Sequence, residues 1–207
     1  MLDLAVALIA VAAAVLMRPW RALDGSGPPW PWLAWWAAMP LTWGVDHLVA
    51  NSVVQPLSGA PLLLLMAGWP LTVLALVPVA LITTLLGHMP WELGLHRFVW
   101  LGLMPATLMM LFGAGVRRLL PHHLFIYIFG RGFFSALLAG TIAGWLAMVV
   151  DGTASSTLGV GDLMLGRWLA AWGDAFLTGM IVAIFVAFRP EWLATYSDRI
   201  YLIPPRP

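Results

Sequence analysis

Six apolar runs of helix length, separated by short polar joints, leave this chain few ways to fold. They lie at about Leu2 to Met17, Trp32 to Val54, Pro61 to Leu86, Leu95 to Val116, Leu124 to Val150 and Gly166 to Phe188. A span of the hydrocarbon core needs roughly 20 apolar residues. Only closed helices or barrels satisfy their backbone there, and runs this long are helical. The spacing predicts one all-α, polytopic membrane bundle of about six transmembrane helices over 1–207, with a polar tail at 189–207.

Composition agrees. Hydrophobic residues are 62% and charged residues 9%, whereas a soluble domain has about a quarter charged. A net charge of +1 with no basic tract gives nucleic acid nothing to bind. All basic residues are arginine and cysteine is absent, so thiolate metal sites and cysteine nucleophiles are excluded. The first run, "MLDLAVALIAVAAAVLMRPW", carries Asp3 where a signal peptide carries positive charge and ends at Arg18-Pro19. It reads as a retained helix.

Two features bear on topology. The third run contains Gly68-Trp69-Pro70 and Pro78. It is either one bent span or a half-helix followed by a full one. On a six-helix count, Arg117, Arg118, Arg189, Arg199 and Arg206 share one face; Arg18, Arg21, Arg97 and Arg167 share the other. The positive-inside rule then tips both termini into the cytoplasm. Trp20, Trp30, Trp32, Trp35, Trp36, Trp91, Trp168, Trp172 and Trp192 fall near helix ends, as interfacial belts do.

Ionisable groups inside spans are costly and mark candidate sites. The second run holds Asp46, His47, Asn51 and Gln55, the last three spaced to share a helix face. That face is either the polar wall of a substrate site or inter-helix hydrogen bonding that fixes packing. Asp174 lies one turn into the apolar stretch "WGDAFLTGMIVAIFVAFRPEWL". It is expected to be paired within the bundle, as a packing or site-organising acid. Arg131, two turns into the fifth run, is one candidate partner. The joint "GHMPWELGLHRF" spaces His88, Glu92 and His96 at i, i+4 and i+8. Imidazole and carboxylate together suit a divalent transition metal. Pro90 and Gly94 argue instead for an interfacial loop. Gly140 with Gly144, and Ala175 with Gly179, read as close-packing pairs. No phosphate loop, nucleophile elbow or zinc-protease motif occurs, so no enzyme is expected.

The segment "GDAFLTGMIVAIFVAFRPEWL" resembles the final helix of the CbiM family, the membrane components of energy-coupling-factor cobalt and nickel uptake systems. That helix carries an acid and small residues and closes on Arg-Pro-acid-Leu. "AGWPLTVLALVPVALITTLLG" followed by "LGLHRFVWLGLMPATL" is similar in outline to the family's Gly-Pro-Trp-containing helix, the Gly loop after it, and a helix opening on Leu-Gly-Ala-Asn. Pro121 to Tyr127 and the tail "RPEWLATYSDRIYL" look closest to a proteobacterial branch of this group. The resemblance covers roughly Gly59 to Leu202.

It implies a six- or seven-helix substrate-binding fold in a bacterial inner membrane. It also implies a divalent transition metal as cargo, and coupling and ATPase subunits as partners beside membrane lipid. Two departures bear on the cargo. CbiM-type proteins begin Met-His and use that histidine as ligand; here Leu2 follows Met1. The Gly-rich turn that carries a second ligand histidine has none in "QPLSGAPLL". The family's ligands therefore do not transfer, although His96 stands about where the family has its Asn. The alternative function is an accessory or structural subunit that keeps the fold without the ligands.

Overall fold

The computed structural model describes residues 1–21, 29–48, 55–151 and 159–201, the side chains of Arg21, His47, Leu48, Asp151, Arg199 and Ile200 excepted. Among the described residues every regular element is helical. α1 spans Leu2–Leu16 and α2 spans Trp30–Trp43, with one further turn, α3, at Val45–Leu48. α4 spans Ala60–Ala67 and α5 spans Trp69–Leu86. α6 (Trp91–Arg97), a wide π-type segment (Phe98–Leu103) and α7 (Met104–Leu119) run on as one rod. A second π-type segment (Ile126–Phe134) continues into α8 (Ser135–Asp151). α9 spans Val160–Phe188, and a last turn, α10, spans Asp198–Tyr201.

Four rods are long and apolar enough to cross a bilayer: Trp69–Leu86, Trp91–Leu119, Ile126–Val150 and Val160–Phe188. This is a membrane protein by length and composition. The expected first and second spans fall short, α1 at 15 residues and α2 at 14. The expected second helix to Val54 also fails as one element. Helix is interrupted at Gly44, and Gln55 sits in a bend. Proline explains part of the shortening, since Pro40 removes a backbone donor near the end of α2.

The third run is two helices. Gly59 (φ 66°) precedes α4 and Gly68 (φ 78°, ψ 166°) separates it from α5. L-residues with a side chain avoid both conformations. Pro61 and Pro70 sit in the first turns that follow, where a missing N–H costs nothing. Every residue from Ala60 to Met66 is buried, so α4 is a core element wrapped on all sides.

Contacts fix which ends lie together. At one end Trp30 packs on Trp192, the end of α1 lines one hollow with Pro70 and Leu71, and Tyr127 bonds Thr195. At the other end Asp3 meets His96 and Trp100, Arg97 meets Asp46, and Arg167 meets Gly144. These are the tail end and the cavity end below. α1 starts at the cavity end and α9 finishes at the tail end. The N-terminal and C-terminal segments therefore lie at opposite ends, contrary to the six-helix count. The half-helix α4 changes the parity.

Close helix contact follows the small residues. A Cβ on Gly140 would stand 3.1 Å from Ala171 Cβ, and one on Gly144 3.4 Å from Arg167 Cβ. The indoles correct a second expectation. Trp35 and Trp36 do not belong to a headgroup belt; they donate inward to the carbonyls of Gly59 (2.9 Å) and Ala75 (2.8 Å).

Candidate functional site: a polar cavity beside a capped half-helix

Asp174 lies 14 residues into α9, about 21 Å along a helix of about 43 Å. It is buried at mid-depth, 3% exposed. Its Oδ2 accepts the Ser58 N–H at 2.7 Å and its Oδ1 the Gly59 N–H at 3.1 Å. Both donors stand at the start of α4, where N–H groups lack helical partners and the helix dipole favours an anion. An acid from α9 thus caps a helix 115 residues away in sequence. The turn is closed further by indole donation from Trp43 to Ser58 O (2.7 Å). Ser58 Oγ donates to Leu101 O at 2.5 Å. Pro105, four residues on, has no N–H to offer that carbonyl, and the hydroxyl takes it up. The expected pairing of Asp174 with Arg131 is not made. Arg131 instead donates to Thr195 O (3.3 Å) and lies over the Tyr127 ring at the tail end.

Asp46 is held by the Arg97 guanidinium through two contacts, Nη1–Oδ1 at 3.0 Å and Nη2–Oδ2 at 2.5 Å. The same Nη1 also donates to Trp43 O. A forked pair of this kind keeps a charge inside an apolar bundle because each partner neutralises the other. Next to it, Asp3 from the first turn of α1 accepts from Trp100 Nε1 (2.9 Å) and contacts His96 Nδ1 (3.1 Å). Arg167 Nη1 donates to Gly144 O at 2.6 Å.

These groups surround a cavity of about 210 Å³, lined by Asp46, Gln55, His96, Arg97, Trp100 and Arg167 among others. At about 30 Å³ per water, it has room for a small hydrated solute. It opens the polar interior of an otherwise apolar molecule at the cavity end.

Of the predicted site residues, Asp46 lines this cavity; Asp174 does not, and is bonded instead to Ser58 and Gly59, just beyond the wall residue Pro56. The His47 side chain and Asn51 lie outside the described residues. The helical face proposed for His47, Asn51 and Gln55 is not one helix, since Gln55 is in a bend. His88, Glu92 and His96 are not brought together as a triad. His88 sits exposed in a left-handed turn (φ 48°) before α6, Glu92 is exposed, and His96 turns inward to Asp3. Among the described residues no three His, Cys, Asp or Glu groups could hold a metal ion together. The residues that sequence reading missed are Asp3, Arg97 and Arg167. Asp3 is an acid in an apolar helix, which is a usable signal; the two arginines lie near helix ends, where a topological role explains them equally well.

Outside the spans, burial and the nearby Asp198 push the Tyr196 phenol up to about 12. It stays neutral in a cluster with Tyr127 and Tyr201, ring centroids 4.9–5.4 Å apart, in which Tyr196 stacks on Tyr201 and Tyr127 meets both at steep angles.

No protein-family model, no curated protein and no solved structure matches this chain.

Proposed function

We propose that the chain is the membrane-embedded, solute-binding component of an uptake system driven by separate ATPase subunits, in the manner of energy-coupling-factor transporters. One observation carries the reading: an apolar helical bundle holds a cavity of about 210 Å³ into which four charged or titratable side chains, Asp46, His96, Arg97 and Arg167, converge. Charged groups in such surroundings are costly and mark solute pathways.

The exposed arginines support a direction. Arg18, Arg117, Arg118 and Arg189 stand at the tail end, and the backbone places Arg21 and Arg199 on the same segments. Arg97, buried, and Arg167, half-buried, are engaged at the cavity end. The positive-inside rule assigns the tail end to the cytoplasm of a bacterial inner membrane. Counting the shorter α1, α2 and α4 beside the four long rods, the described segments run from one end to the other seven times, and the cavity faces outward to receive solute.

A cobalt or nickel cargo rests on the CbiM resemblance. The described cavity wall offers an acid already held by arginine and an imidazole already held by Asp3. The Asp46–Arg97 fork also favours a second reading, an accessory subunit in which this polarity serves packing. Purification in mild detergent with metal analysis and native mass spectrometry separates the two. Co-purifying ATPase subunits with a stoichiometric metal or small solute, lost in an Arg167→Gln variant, support uptake. A stable complex without ATPase or solute supports the accessory reading.

A further inference from the structure

We infer that α4 is a strut through which the C-terminal tail sets the shape of the polar cavity. The inference rests on the cavity being the solute site, and its test is read without solute.

Both ends of α4 are tied, each to a different part of the molecule. At its N-terminal end the Ser58–Gly59 elbow is held by Asp174, Trp35 and Trp43. Ser58 Oγ reaches Leu101 O, and Leu101 is part of the cavity wall. Gln55 and Pro56, the residues that lead into this elbow, line the same cavity. At the C-terminal end the carbonyls of Leu65 and Met66 have no helical donor. The tail supplies three: Thr195 N to Leu65 O (3.3 Å), Thr195 Oγ1 to Leu65 O (3.0 Å) and Ala194 N to Met66 O (3.3 Å). The tail is tied in turn to the second π-type segment, by Tyr127 OH to Thr195 Oγ1 (2.8 Å) and by Arg131 to Thr195 O.

Eight residues of α-helix make a stiff rod of about 12 Å. Its bracketing glycines, Gly59 and Gly68, hold positive φ and set the rod off from the chain on either side. A packed core transmits displacement rather than absorbing it. Movement of Leu193–Thr195 therefore shifts α4 along its axis, and the elbow carries that shift to Gln55 and Leu101. The tail lies at the arginine-rich end, on the side where an ATPase-driven partner would act.

The chain contains no cysteine, which makes a single introduced thiol a clean reporter. Leu93 lines the cavity outside the strut. Asp162 is exposed at the same end but outside the cavity wall. Leu93→Cys and Asp162→Cys proteins, purified in detergent, would be alkylated with a maleimide with and without Thr195→Val. The valine keeps the shape of threonine and removes its hydroxyl bonds. The expected result is an alkylation rate at position 93 raised by about fivefold or more, since two hydrogen bonds of the Thr195 hydroxyl are lost, with position 162 unchanged. Tyr127→Phe, which cuts only one bond of the relay, should give a smaller change of the same sign and serves if Thr195→Val does not fold. An unchanged rate at position 93 in a folded variant would overturn the strut. Equal changes at both positions, a sign of general loosening, would overturn it as well.

Discussion

Asp174 was recognisable in the sequence as an acid that must be paired, but its partners were not. Backbone N–H groups carry no residue signature, and the ones it binds lie 115 and 116 positions away. A usable signal existed in Ser58-Gly59-Ala60-Pro61, a turn residue, a glycine and a first-turn proline that announce a helix start. Asp174→Asn keeps one acceptor oxygen and loses the charge. It is expected to destabilise the protein by about 1–3 kcal/mol, and Asp174→Leu by more, because two buried donors are then orphaned. Thermal unfolding in detergent, followed by size-exclusion chromatography, ranks the three proteins. Arg97→Gln should cost about 1–3 kcal/mol by removing the forked contact to Asp46 and the bond to Trp43 O. The Asp46→Asn, Arg97→Gln double variant should recover part of that loss; if it is as unstable as the single variant, the pairing account fails.

The break between α4 and α5 was one of two readings that hydropathy allowed. Periodicity could not choose, because α4 is apolar on every side and shows no face. Backbone conformation decides it. A Cβ added at Gly68 would meet nothing within 4 Å, yet φ 78° with ψ 166° is a region that side chains avoid. Gly68→Ala is therefore expected to lose about 1–3 kcal/mol through backbone strain alone. An unaltered melting midpoint would show that the joint relaxes without cost. Gly102→Ala tests packing instead, since its Cβ would fall 2.7 Å from the Trp43 ring. Overpacking of that kind costs about 1–3 kcal/mol. The π-type segment around Gly102 was invisible in the sequence as such. Only Pro105, which withholds a donor from Leu101 O, hinted that regular α-helix would be disturbed there. The triad His88, Glu92 and His96 failed for a related reason: the spacing presumed a helix that begins only at Trp91.

At the scale of the whole molecule, hydropathy made the membrane class plain, while the number of crossings was not legible. A six-helix count divided the arginines almost evenly. With α4 interposed, the exposed arginines gather at the tail end, and the charges left at the other end surround the polar cavity. The central claim is that the cavity end and the arginine-rich end lie on opposite sides of the membrane. Single thiols at Leu2→Cys and Leu119→Cys, in intact cells treated with a membrane-impermeant maleimide, test it directly, both positions being exposed. The account predicts that position 2 is labelled from outside and that position 119 is labelled only after the membrane is opened. Labelling of both from the same side, or of position 119 alone in intact cells, would contradict it.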